Sequence, residues 1–384
     1  MPLQDASQRE AQRILDLARS DANAAREILR GLGVDEQVAL VCELPVAARA
    51  RLLDLLPSLE NVVPALPEAE LCFTAKAIGL ADAGWILEHA TLEQIQVCLD
   101  LDVWRDQSLD AAALGDWLGA LADAGDETLV RAARGIDPEL LYLFVRSRIA
   151  AQLKPNEEGW EPDPGSQTLE GQFYFRALAE GDDVALVARL LRVLFEHDYW
   201  LYFRMLQALT WEDPLENETY AARWREGRLE DLGFPSFDEA MRIYGRLRPE
   251  ERTLLPEHSG ALATEAFRLP VWLPRLPVAI DAHHLVFRAA AALGDDERRA
   301  FFFAFVALAN AVAIADRLPL GDAESTPRAI EKAATLASRG LDWLARRHGS
   351  DTTSILRRAT VARLFRVGAN LERDERRDTR SGPP

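Results

Sequence analysis

The stretch Arg298–Arg317 reads RRAFFFAFVALANAVAIADR. Between its flanking charges it is apolar on every side, and Asn310 is its one strong polar group. A helix that is apolar all round must be enclosed by protein or lipid. Ala300 to Ala315 would span roughly 24 Å at ~1.5 Å per residue, short of a hydrocarbon core of ~30 Å. The stretch therefore reads as the central helix of a helical bundle rather than a membrane span, with Phe302 in its core.

Downstream, helical periodicity runs over 327–347 and 351–367, and the charged residues 373–384 read as a flexible tail. Upstream, Pro256, Pro270, Pro274 and Pro277 break 254–280 into an irregular crossover, with a helix resuming at Asp281. A long aromatic-rich helix is predicted over 182–209. Asp213-Pro214 and Ser236-Phe-Asp-Glu239 open two more. These elements form a predicted C-terminal bundle over 168–372. Residues 154–167, with Pro155, Pro162 and Pro164, read as a linker or an ordered crossing loop.

The first 153 residues read as short helices punctuated by Leu44-Pro45, Leu56-Pro57 and Leu66-Pro67. LPVAARARLLDLL and LPEAELCFTAKAI superpose, as in an α-solenoid-like helical repeat. Thr91 and Gln94 form a capping box, and Asp137-Pro138 pairs an N-cap with Pro at the first helical position. No β-alternation stands out, so the predicted fold class is all-α.

The chain has 384 residues, 44 basic against 62 acidic, and a net charge of −18. Such a surface repels phosphate backbones and anionic bilayers, so neither nucleic acid nor stable membrane insertion is expected. Cys42, Cys72 and Cys98 share no CxxC spacing and read as buried free thiols. The opening MPLQDASQREAQR lacks a basic segment followed by an apolar one, which predicts a cytoplasmic location.

There is no phosphate loop, HExxH or GxSxG, so no catalytic residue and no cofactor are assigned. Two clusters carry metal-capable groups. Asp281, His283 and His284 open a helix, with Asp281 and His284 one turn apart; His197 and Asp198 lie in the aromatic helix. If the clusters met across a bundle they would build a carboxylate–histidine site. Separately, they read as a cap and as packing groups. Trp224, Arg225, Arg228 and Phe234 surround the Leu232-Gly233-Phe234-Pro235 turn and mark a possible binding surface, or simply an anchored turn. The tryptophans and tyrosines from Tyr199 to Tyr244 read as core rather than as a cofactor box.

Two resemblances extend this. VALVCELPVAARARLLDLLPSLENVVPAL, Val38–Leu66, resembles the cytosolic N domain of MgtE-type magnesium transporters, a helical superhelix that responds to magnesium. YAARWR at Tyr220–Arg225, RLEDLGFPSFDEAMRIYGRLRP at Arg228–Pro249 and LFRVG at Leu364–Gly368 resemble a bacterial all-helical family of unknown function. Together these readings predict a non-enzymatic interaction or regulatory module whose partner is another protein. The alternative is a metal-binding bundle or enzyme using the His/Asp clusters.

Overall fold

The computed structural model describes residues 3–105, 107–255 and 283–380. Helices dominate, as expected. The chain forms two compact units, one of Ile14–Arg228 and one of Met1–Arg13 with Leu229–Pro384. The boundary falls within the Pro214–Asp231 helix rather than at 154–167.

In the Ile14–Arg228 unit, Pro45 and Pro67 immediately precede helices Val46–Leu53 and Glu68–Ile78. Their fixed φ suits the turn into a helix, and the missing N–H removes nothing a helix start needs. The Thr91 box forms as predicted: Gln94 N donates to Thr91 Oγ1 at 3.1 Å and Thr91 N to Gln94 Oε1 at 2.9 Å. Buried Arg49 pairs with Glu70 at 2.7 Å and donates to the carbonyls of Cys42 and Leu44, which close the preceding helix.

Two small antiparallel pairs correct the expectation of no strands. Trp104–Arg105 pairs with Ser108–Leu109, and Ile149–Leu153 with Phe173–Ala177 in the register Ile149↔Ala177 to Leu153↔Phe173. In FYFRA the side chains alternate, Phe173 and Phe175 turning inward. The proline-rich 154–167 segment is thus part of a hairpin loop inside one unit, not a linker, and Gln167 bridges back to Phe175. The long helix expected over 182–209 breaks at Asp198 into Asp182–His197 and Tyr199–Trp211.

In the other unit, Asp295–Ala315 is long and apolar enough to cross a membrane, with a mean hydropathy of 1.6, and half of its most apolar window is buried. Phe301, Phe305, Leu308 and Val312 enter the core with Phe287, Leu341 and Phe365. Phe302, expected in that core, sits at its edge, half-buried and stacked on Phe287 at 6.3 Å. Asn310, the lone polar group, donates to Gly233 O at 3.1 Å. That ties the central helix to the Leu232–Pro235 turn, where Gly233 adopts φ +80°.

Helices Ser325–His348 and Val361–Arg380 pack backbone against backbone. A Cβ on Gly340 would lie 1.9 Å from Leu364 O, and one on Gly368 1.9 Å from Leu336 O. With Ala329, Ala333 and Ala337 also buried, a seam of small residues lets the two backbones touch.

Candidate functional site

The described metal candidates lie in two compact units, and each cluster has its own local role. Asp198 is a helix N-cap, its Oδ1 accepting from Leu201 N at 3.1 Å. Its Oδ2 accepts from Arg134 Nε at 2.7 Å, and Arg134 also donates to His197 O. The Arg134 bond, with the cap behind it, holds the Asp198 carboxyl below the usual aspartate range. The His197 side chain is exposed. In the other compact unit His284 stands at the N-cap position of Leu285–Ala291 without a side-chain cap bond, its Nε2 3.0 Å from Glu331 Oε2, and His283 is exposed beside it. Asp281 lies outside the described residues. Among the described residues no group of three or more His, Cys, Asp or Glu could hold a metal ion.

The Trp224–Phe234 surface also divides. Phe234 is buried in the C-terminal unit. Arg228 turns inward and forks twice. Its Nε and Nη2 reach the two oxygens of Asp100 at 2.7 and 2.8 Å, while Nη1 and Nη2 reach those of Asp137 at 3.1 and 2.6 Å. Gln96 donates to Asp100 at 3.0 Å, and Arg225 donates to the Asp100 carbonyl at 2.7 Å while lying over the Trp104 ring. Burial opposes charge on both partners. Burial raises the Asp100 pKa above the usual aspartate range, with the Arg228 and Gln96 donors opposing it, while at Arg228 the forks to Asp100 and then Asp137 outweigh burial and keep the guanidinium more firmly protonated than a free arginine. These arginines fasten a helix; they are not free to bind.

What remains outside is aromatic. Trp200 is 67% exposed, Trp211 58%, Leu215 71% and Trp224 60%, with Tyr199 and Tyr220 also exposed. Of the aromatics expected to be core here, Tyr202 alone is fully buried. Trp200 stacks on Phe203 at 5.9 Å, Phe203 meets Phe173 at 5.5 Å, and Phe173 meets Trp211 at 6.4 Å, so the hairpin strand supports a continuous ring cluster. Trp200, Phe203, Gln207 and Trp211 follow one face of their helix, and Tyr220 and Trp224 lie one turn apart on the next. The flanking Glu196, Glu212, Asp213 and Glu216 are exposed.

The C-terminal unit holds a cleft of about 810 Å³ along the seam between Ser325–His348 and Val361–Arg380. Its lining includes Tyr244, Arg328, Lys332, Thr335, Arg373 and Arg376. Tyr244 Oη donates to Asp316 at 2.8 Å and Lys332 Nζ to the other Asp316 oxygen at 2.6 Å. Burial, reinforced by the Asp316 bond, raises the Tyr244 pKa far above that of a free phenol. None of the cleft's cations stands out in the sequence. The available signals were Arg328 and Lys332 one turn apart, and lysine itself, which occurs at just three positions in the chain.

No curated protein and no solved structure matches the chain. Residues 26–379 match the family of unknown function DUF6178. That match spans nearly all of the sequence, including the Tyr220–Pro249 and Leu364–Gly368 stretches, and the chain belongs to the DUF6178 family.

Proposed function

We propose that the protein is a recognition module that docks a basic segment of a partner protein on the aromatic face of Tyr199–Trp211 and Pro214–Asp231. The observation that carries this reading is the exposure of six large apolar side chains within 26 residues, Tyr199 to Trp224. Surface apolar groups are ordinarily scattered, whereas exposed tryptophan and tyrosine concentrated on two successive helices mark interfaces. The exposed carboxylates of Glu196, Glu212, Asp213 and Glu216 at its margin, in a chain of net charge −18, favour a cationic occupant. Arginines of such a segment would stack on the indoles of Trp200 and Trp224. The resemblance of the front half to a regulatory helical domain agrees with a binding role rather than catalysis. The metal-site alternative has no matching geometry among the described residues.

A photo-crosslinking residue placed at Trp200 or Trp224 in living cells tests this. The expected result is one defined adduct, weakened by high salt, with a basic segment at the crosslinked point. The same probe at Arg347, exposed in the other unit, should not give that adduct. The reading is overturned by no adduct from either tryptophan position, by the same adduct from Arg347, or by an adduct at an acidic segment.

A further inference from the structure

The cleft along the helix seam has a chemistry of its own. Arg328, Lys332, Arg373 and Arg376 line it against two carboxylates, Glu331 and Glu372, in a chain where acids outnumber bases 62 to 44. Both carboxylates are engaged: Glu331 with His284 at 3.0 Å and Glu372 with Arg376 at 2.8 Å. Lys332 is held in place from behind by Asp316 and lies 5.0 Å from the centre of the Tyr244 ring. Arg373 is steadied by a bond to Tyr244 O at 3.1 Å. Arg328 has no ion-pair partner among the described residues and stands exposed on the first turn of Ser325–His348. The positive end of that helix dipole adds to its field.

We infer that this cleft binds an organic phosphate, its phosphate group held by Arg328, Lys332 and Arg373. Arginine forks match phosphate oxygens two at a time, and lysine supplies a point charge. A volume of about 810 Å³ far exceeds what a bare phosphate fills and lies in the ~300–1,000 Å³ range of small-molecule sites. Leu336, Ala369 and the Tyr244 ring offer apolar wall to the rest of such a molecule. This inference is independent of the aromatic face, which belongs to the other compact unit.

Isothermal titration calorimetry on the full chain at low ionic strength tests it, with ADP, inorganic pyrophosphate and adenosine as probes. ADP and pyrophosphate should bind saturably at one site, and adenosine should bind at least tenfold more weakly than ADP. Arg328→Glu with Arg373→Glu should weaken ADP and pyrophosphate binding at least tenfold. Arg328→Glu alone, which breaks no ion pair among the described residues, should melt as the wild type does and still weaken binding. Vesicles containing phosphatidic acid form a further arm. Arg328-dependent capture on them, with no binding of the soluble probes, would assign the phosphate to a lipid headgroup. The inference is overturned by no binding in any arm, by adenosine binding as tightly as ADP, or by the charge-reversed variants binding like wild type.

Discussion

Arg228 and Asp100 form a bidentate pair in which the carboxylate has no exposure to solvent. They are 128 positions apart, so this pair closes the Pro214–Asp231 helix onto the Leu92–Asp102 helix. Breaking a buried pair by removing one partner costs about 3–5 kcal/mol, because the other charge is left buried and alone. Arg228→Met should therefore lower unfolding free energy by that amount in urea titrations followed by circular dichroism. Asp100→Leu added to Arg228→Met should recover much of it. A loss below about 1 kcal/mol for the single variant would show that the network does not fasten the helix.

The seam between Ser325–His348 and Val361–Arg380 makes a second prediction. At Gly340 and Gly368 an added methyl group meets backbone, which cannot swing aside as a side chain can. Gly340→Ala or Gly368→Ala should each cost at least the ~1–3 kcal/mol typical of overpacking. Gly119 lies within Ala111–Asp123 with open space around it, so Gly119→Ala should be neutral or stabilise by up to about 1 kcal/mol. Thermal melts of the three variants give the comparison; equal melting temperatures would refute the seam.

All three cysteines are buried, and burial raises the thiol pKa of Cys42 and of Cys98. Thiolate is the reactive form. A disulfide reagent such as DTNB should modify none of them in the native protein at neutral pH, and all three in denaturant. Rapid labelling of one thiol in the folded chain would mean that its helix opens far more readily than its packing implies.

Burial is the largest influence raising the pKa of Tyr142, Tyr202 and Tyr244, with Glu170 assisting at Tyr202 and Asp316 at Tyr244. An unfolded tyrosine ionises near pH ~10. Above that value the unfolded chain has lost these protons and the folded chain has kept them. Stability is thus fully present below pH ~10 and falls as pH rises toward the folded pKa values. Phenolate absorbance should show three of the six tyrosines titrating late, in step with unfolding. Early titration of all six in a still-folded chain would contradict the burial.

What the sequence disclosed is what local spacing can encode. The Thr91–Gln94 box lies within four residues and forms as read, while of the capping box expected at Ser236–Glu239 only the Ser236 half forms, its Oγ accepting from Glu239 N. The apolar run around Phe301–Val312 announces a buried helix because nothing polar interrupts it. Asp137 shows the limit. Asp-Pro reads as a cap, and Pro138 does open its helix, but the Asp137 carboxylate makes no cap bond and goes to Arg228, 91 positions away. The Ile149–Leu153 strand is not legible in the sequence because IAAQL carries no alternation of its own. Its pairing shows only once Phe173 and Phe175 are seen to turn inward together. The aromatics of 199–224 read as core in sequence, since large rings are on average well buried, but their exposure depends on which neighbours the fold supplies. His197 and Asp198 read in sequence as packing groups or as ligands, and the break in the helix at Asp198 gives its carboxylate the role of a cap.

The contact of Gly340 with Gly368 also has a mechanical side. Two helices whose backbones touch cannot slide or roll against each other without separating, so the pair behaves as one strut. Arg328 and Lys332 stand on one rail of that strut, Arg373 and Arg376 on the other. A molecule entering between the rails would find a gauge set in advance, with only side-chain rotamers left to adjust. Stiffness of this kind belongs to a receptor whose shape exists before its ligand arrives.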